Sequence, residues 1–146
     1  MQAIIFMGVQ ATGKSSFYKK YFFNSHMRIS LDLLNTRNKE WQFMQTCLAT
    51  EQKFVVDNTN PSKTDRKRYI DLIKPTHFEL IGYYFESKIK DAMQRNALRM
   101  GKEKIPEKGL LGVYNRLEMP NYEEGFDKLF YVQLREDGFV INDWKK

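Results

Sequence analysis

The chain is poor in several things, and each shortage excludes a class of protein. It holds one cysteine, Cys47. An internal disulfide is impossible, so a disulfide-stapled secreted scaffold is excluded. Cys47 falls on an apolar helical face and reads as core. Long hydrophobic runs are missing too. A typical apolar stretch is Ala3-Ile4-Ile5-Phe6-Met7, far short of what a bilayer span requires. The first residues lack a basic region followed by a small-residue cleavage site, so no signal peptide is expected. Together these shortages set the expectation of a cytoplasmic protein without membrane association. His26 and His77 have no partners spaced like a metal site or a catalytic triad. Repeats, linkers and low-complexity tracts are absent as well. With 146 residues, 42% of them hydrophobic, the chain is expected to form a single globular domain over residues 1–146.

What is present begins with charge. The net charge is +6, and it is spread unevenly. Lys14, Lys19, Lys20 and Arg28 lie in residues 1–31 without any acid, whereas residues 118–137 are rich in Asp and Glu. A basic domain with an acidic end suits a polyanionic substrate. It suits a protein that handles ATP alone equally well.

Strand-like and helical segments alternate, which is the pattern of a parallel α/β sheet. Strands are predicted at residues 3–7, 27–30, 53–57, 77–85 and 129–134, with a short antiparallel return at 139–141 and a loose tail from 142. Helices are predicted after residue 13, over 39–50, over 63–74, over 87–100 and over 110–116. Ser62 with Asp65 reads as a capping box, and Ser87 reads as the cap of the 87–100 helix. With Gly8-x4-Gly13-Lys14-Ser15, the spacing of a phosphate-binding loop, after the first strand, the arrangement describes an α/β fold of the P-loop NTPase kinase type. Its core is a five-stranded, mainly parallel sheet flanked by helices, with a helical lid.

The first predicted strand runs into Gly8-Val9-Gln10-Ala11-Thr12-Gly13-Lys14-Ser15-Ser16. This is G-x-x-x-x-G-K-S between a strand and a helix, the context that a phosphate-binding loop needs. Backbone N–H groups in such a loop form an anion nest, and the helix start adds its positive end. Residues 8–16 are therefore expected to bind the nucleotide. Lys14 would face the β- and γ-phosphates, and the Ser15 hydroxyl fits a Mg²⁺ position. ATP and Mg²⁺ are the expected cofactors.

Asp57 ends an apolar strand, at the sheet edge where open α/β sheets bind ligands. A carboxylate there can hold Mg²⁺; the plainer alternative is an ordinary turn Asp beside Asn58 and Pro61. Asp32 follows the short second strand and would face the γ-phosphate. There it could act as the base that takes a proton from an attacking hydroxyl, or simply cap the next helix. Arg95 and Arg99 are spaced by one helical turn and precede a loop with glycines at both ends. They could deliver guanidinium groups to a phosphoryl transition state, or they could form a solvated face with Asp91 pairing to Arg95.

These residues carry a resemblance. Gly8-x4-Gly13-Lys14-Ser15, then Ile29-Ser30-Leu31-Asp32, then Val55-Val56-Asp57-Asn58-Thr59-Asn60-Pro61 with Arg66-x-Arg68-Tyr69, then Arg95-Asn96-x-x-Arg99 with Ile105-Pro106, resemble the polynucleotide 5′-kinase family. They also resemble the small zeta-toxin-like ATP-binding kinases. The resemblance implies a strand order of 2-3-1-4-5 and transfer of the ATP γ-phosphoryl to the 5′-hydroxyl end of RNA or DNA. It matches Asp32 to the general base, Asp57 to the acid ending the metal-binding strand, Arg99 to the lid arginine on the transferring phosphate and Arg95 to its partner. The chain departs from the family where Ser30 and Leu31 replace an Asn-Arg pair. Asn35 also stands where some members carry a strand-gripping Arg, with Arg37 two residues further on. These departures bear on the acceptor, so a small-molecule kinase and a nucleotide-binding ATPase or switch stay as alternatives. No Asp-x-Asp-x-Thr motif occurs, so a fused phosphatase is not expected.

Overall fold

A computed structural model describes residues 1–145. In chain order it contains β1 (Gln2–Met7), α1 (Lys14–Tyr21), β2 (Met27–Ile29), α2 (Leu31–Leu34), α3 (Arg37–Thr50), β3 (Phe54–Val56), α4 (Lys63–Ile73), β4 (Glu79–Phe85), α5 (Ile89–Ala97), α6 (Glu107–Asn115), β5 (Lys128–Arg135) and β6 (Gly138–Asp143). The strands form one sheet in the order β2-β3-β1-β4-β5-β6. The β2, β3, β1, β4 and β5 strands pair in parallel, and β6 adds antiparallel to β5. Parallel pairing brings the C-terminal ends of the first five strands to one edge.

β1 is buried along almost its whole length because it lies inside a sheet covered on both faces. Alternate side chains divide between the faces. Ala3, Ile5 and Met7 pack with Met44, Cys47, Tyr69 and Ile73 of α3 and α4. Ile4 and Phe6 pack with Phe17, Tyr18 and Phe22 on the α1 side. Aromatic rings dominate that second layer: Phe17 meets Phe6 at 5.8 Å and Phe139 at 5.0 Å between ring centroids, both edge-on. A third cluster joins Val9 of the phosphate loop to Ala92 of α5 and Leu110 of α6. The helical lid is thereby attached to the loop that it covers.

The strand order implied by the resemblance is present, and the expected capping box of α4 forms between Ser62 and Asp65. Three expectations need correction. The return strand is longer than 139–141, and the tail expected to be loose is held as far as Trp144, its last residue lying outside the described ones. β6 runs to Asp143, and the Trp144 ring meets Tyr84 edge-on and Tyr131 at a tilt while its backbone N–H donates to the Leu129 carbonyl. The helix expected over 87–100 spans only Ile89–Ala97, with no side-chain cap at its start. Arg99 therefore lies beyond the helix. The helix expected over 110–116 begins earlier, at Glu107 after Pro106, where proline suits a helix start. No helix among the described residues is long and apolar enough to cross a membrane.

Candidate active site

The phosphate loop leaves β1 at Gly8 and enters α1 after Gly13. Both glycines have positive φ, +144° and +95°. Their neighbours explain them further. A Cβ on Gly8 would meet the Phe85 carbonyl oxygen at 2.9 Å, and one on Gly13 would meet the Phe139 ring at 2.9 Å. The signature glycines are thus demanded by the ends of β4 and β6 as well as by any approaching phosphate.

Other bonds brace the loop from outside. Gly8 N–H donates to the Thr59 carbonyl (2.9 Å). Val9 N–H donates to Ser87 Oγ (3.1 Å), and Ser87 in turn donates to the Phe85 carbonyl (2.8 Å). Ser87, expected as a helix cap, instead holds the phosphate loop. Asn60 Nδ2 reaches the Phe6 carbonyl (2.8 Å). The 57–61 turn behind the loop is fixed by Arg66, whose side chain is fully buried. It donates to the Asn60 and Pro61 carbonyls and forms a two-pronged pair with Glu124 (2.8 and 3.2 Å). Arg66 therefore contributes nothing to a basic surface.

Lys14 is buried, with its ammonium bonded to the Gly8 (2.9 Å) and Val9 (2.6 Å) carbonyls. Burial lowers its pKa to about 8. The Asp57 carboxylate opposes that shift, the Arg99 guanidinium adds to it, and Asp32 opposes it. Residues expected at one site from motifs far apart in sequence thus act electrostatically on the same ammonium. Asp57 is buried at the end of β3. Its Oδ2 accepts from Ser15 Oγ (3.1 Å) and from Arg28 Nε (2.8 Å). Ser16 is exposed.

Asp32 is exposed near the start of α2. It does not cap that helix. Ser30 does, accepting from the Asp32 N–H (3.3 Å). The Asp32 carboxylate accepts no hydrogen bond among the described residues, so it is free for another task. Its turn is positioned from below: Leu31 N–H donates to Asn58 Oδ1 (2.9 Å), and Asn58 Nδ2 donates to Glu40 Oε2 (2.8 Å) and to the Tyr69 hydroxyl (3.2 Å). Glu40 is buried and also accepts from Arg37 and Tyr69. Burial and the Glu40 carboxylate push the Tyr69 phenol up to about 12, so it stays a neutral donor.

On the lid, Arg95 donates to the Ala11 carbonyl of the phosphate loop (3.1 Å) and makes no pair with Asp91 among the described residues. Arg99 donates to the Glu103 carbonyl (3.1 Å). Asn96 shapes the segment between them. Its side chain bonds both the carbonyl and the N–H of Ile105, closing the 97–104 loop. Sequence reasoning missed the roles of Arg28, Asn58, Ser87 and Asn96. Asn58 and Asn96 lie inside the motifs that carry the resemblance. Cys47, with its thiol raised to about 11 by burial, is the core residue expected.

Two protein oxygens, Ser15 Oγ and the Asp57 carboxylate, lie side by side at the end of β3. No group of three or more His, Cys, Asp or Glu residues suited to a metal occurs among the described residues. A hard-oxygen pair with few protein ligands fits Mg²⁺, which takes its other ligands from phosphate and water.

No family model matches the chain. It is 26% identical over 138 residues to a bifunctional polynucleotide phosphatase/kinase of Schizosaccharomyces pombe, covering 92% of this chain and 34% of the relative. It is 27% identical over 154 residues to a putative bifunctional polynucleotide phosphatase/kinase of Acanthamoeba polyphaga mimivirus, covering 99% and 37%. The chain thus spans about a third of the length of the curated relatives it matches. A gluconokinase from Sinorhizobium meliloti superposes with a TM-score of 0.63 at 18% identity, covering 90% of this chain and 81% of that one. The chain therefore has the P-loop kinase fold and is similar, over nearly its whole length, to polynucleotide phosphatase/kinases.

Proposed function

We propose that this chain is an ATP-dependent phosphotransferase whose acceptor is the 5′-hydroxyl end of RNA or DNA. The observation that carries the reading is convergence. Ser15 of the phosphate loop bonds Asp57 and the lid's Arg95 bonds the loop at Ala11, and the charges of Asp57, Arg99 and Asp32, from separate parts of the chain, all reach the Lys14 ammonium. Backbone N–H groups of residues 10–16 would cradle the triphosphate, while those of Gly8 and Val9 are spent on Thr59 and Ser87 and brace the loop. Lys14, held on the Gly8 and Val9 carbonyls, would exchange them for phosphate oxygens. Asp32 would accept the proton of the acceptor hydroxyl as its oxygen attacks the γ-phosphorus and ADP leaves. Arg99 would offset charge on the phosphoryl oxygens, while Arg95 keeps the lid on the loop. Ser15 and Asp57 would hold Mg²⁺, which when bound neutralises phosphate charge.

An exposed acceptor side supports a polymer end over an enclosed small molecule. Asp32 is exposed, and Leu33 and Trp41 are more than half-exposed. Cavities of about 340 and 370 Å³ lie elsewhere: one is lined by Met27, Phe43 and Cys47, the other by Met93, Asn96 and Pro106. The similarity to polynucleotide phosphatase/kinases agrees with this choice. A free carboxylate at Asp32 argues against a mere nucleotide switch, which has no use for a base aimed at an acceptor. The test is incubation with γ-labelled ATP, Mg²⁺, 5′-OH RNA and DNA oligonucleotides, and a panel of sugars and nucleosides. Label is expected on the oligonucleotide 5′ ends. Label confined to a small molecule, or released only as phosphate, would overturn the assignment.

A further inference from the structure

Arg28 stands at the centre of the site and has no part in the transfer described above. It lies on β2, and its side chain crosses to the end of β3. There Nε donates to Asp57 Oδ2 at 2.8 Å and Nη2 donates to Ser15 Oγ at 3.2 Å. Ser15 Oγ itself donates to Asp57 Oδ2 at 3.1 Å. The guanidinium therefore bonds both side chains that the proposed function assigns to Mg²⁺, through Asp57 Oδ2 and Ser15 Oγ. The Asp57 side chain is 3% exposed and that of Arg28 is 28% exposed. The carboxylate thus lies where an unpaired charge is costly, while the guanidinium keeps a route to solvent.

An ion bound to Ser15 Oγ together with Asp57 Oδ2 would compete with the guanidinium for the same lone pairs. The Ser15 oxygen that would coordinate a divalent ion already accepts from Arg28, and a metal ion there would face the guanidinium at contact distance in a partly dry site. We infer that Arg28 is a resident counter-cation that fills the metal position in the nucleotide-free protein and competes with the divalent ion. This rests on the reading that Ser15 and Asp57 are the metal ligands. When the metal arrives with a triphosphate, Arg28 gives up Asp57 and swings outward, and the phosphates supply new partners for it. Asp57 is never left bare, and the protein takes its metal together with nucleotide.

Mn²⁺ binding to the nucleotide-free protein tests this directly, because Mn²⁺ accepts the same oxygen donors and its free concentration is read by electron paramagnetic resonance. Arg28→Gln should bind Mn²⁺ about 10-fold more tightly than the unaltered chain, since the competing internal ligand is gone. Arg28→Lys keeps a cation and should bind weakly, like the unaltered chain. Adding Asp57→Asn to Arg28→Gln should remove the gained affinity. Equal Mn²⁺ affinity in the unaltered chain and Arg28→Gln would overturn the inference, as would a gain in Arg28→Lys as large as in Arg28→Gln. Tight binding that survives Asp57→Asn would place the ion elsewhere and also overturn it. These readouts need no nucleotide or acceptor, so failure of the phosphotransferase reading would be seen separately, in the labelling assay.

Discussion

The phosphate loop and the turn around Asp32, which the proposed function makes the acceptor turn, lie at one sheet edge but are built by different means. The loop is braced on every side. Thr59 holds Gly8, Ser87 holds Val9, Asn60 holds the end of β1, and the Lys14 ammonium is buried against loop carbonyls. The acceptor turn has its backbone fixed through Ser30 and Asn58, but its side chains are open. Leu33 is 60% exposed. The lid resembles the acceptor turn in this respect, with Leu98 at 85% and Met100 at 84%. Phosphate is gripped by backbone amides, which act only if the main chain is already in place. The acceptor is met by side chains, which can order on arrival at some cost in binding. On the proposed function the donor half would be preorganised, and the acceptor half would be left for its ligand to complete.

The largest effect should come from the braced side. Lys14→Ala should reduce nucleotide turnover by about 1000-fold, measured as ADP release; near-normal turnover would mean the loop does not hold a reacting triphosphate. Asp32→Asn should slow transfer to the acceptor by ~100-fold or more while ATP affinity, read by calorimetry, changes little. Lost ATP affinity instead would move Asp32 into the donor half. Arg99→Ala should lower kcat by about 10-fold, because its lid side chain, held among the described residues by the Glu103 carbonyl, would turn to the phosphoryl oxygens. An unchanged kcat would return Arg99 to the solvent-facing surface.

The smallest expected effect tests the frame that both regions share. His26 is buried, with Nδ1 at 2.7 Å from Ser25 Oγ and Nε2 at 2.9 Å from Gln2 Oε1. The neutral ring satisfies both, donating to Gln2 and accepting from Ser25. Burial, with help from Lys53, lowers its pKa from 6.5 to about 4. Between those values the unfolded chain holds more protons than the folded one, so stability falls as pH drops from about 6.5 to about 4. Urea denaturation should show His26→Gln losing ~1 kcal/mol less over that range than the unaltered chain. Parallel curves would show that His26 does not titrate on unfolding.

Much of the fold was legible because its signals are local. The G-x-x-x-x-G-K-S spacing marked the loop, the apolar strands marked the sheet, and Ser62 with Asp65 marked a helix start that formed as read. Misreadings fell where a side chain had a distant use. Ser87 looked like a cap but holds Val9, across 78 residues of sequence. Arg99 looked helical, but the helix ends at Ala97 and the Asn96 side chain draws Ile105 back to close the loop. Asp32 could have been a cap, and only the geometry of Ser30 frees it.

By itself the sequence determined that a strand, a phosphate loop and a helix follow one another, and that acids end the neighbouring strands. These depend on residues within a turn or a strand of each other. Only the tertiary structure decided what stands opposite those acids. Ser15 reaches Asp57 across 42 residues and Arg28 reaches it across 29, and neither meeting exists until β2, β3 and β1 lie side by side. Spacing along the chain carries no record of such pairs, because the sheet order, set by burial of both its faces, chooses which side chains share an edge.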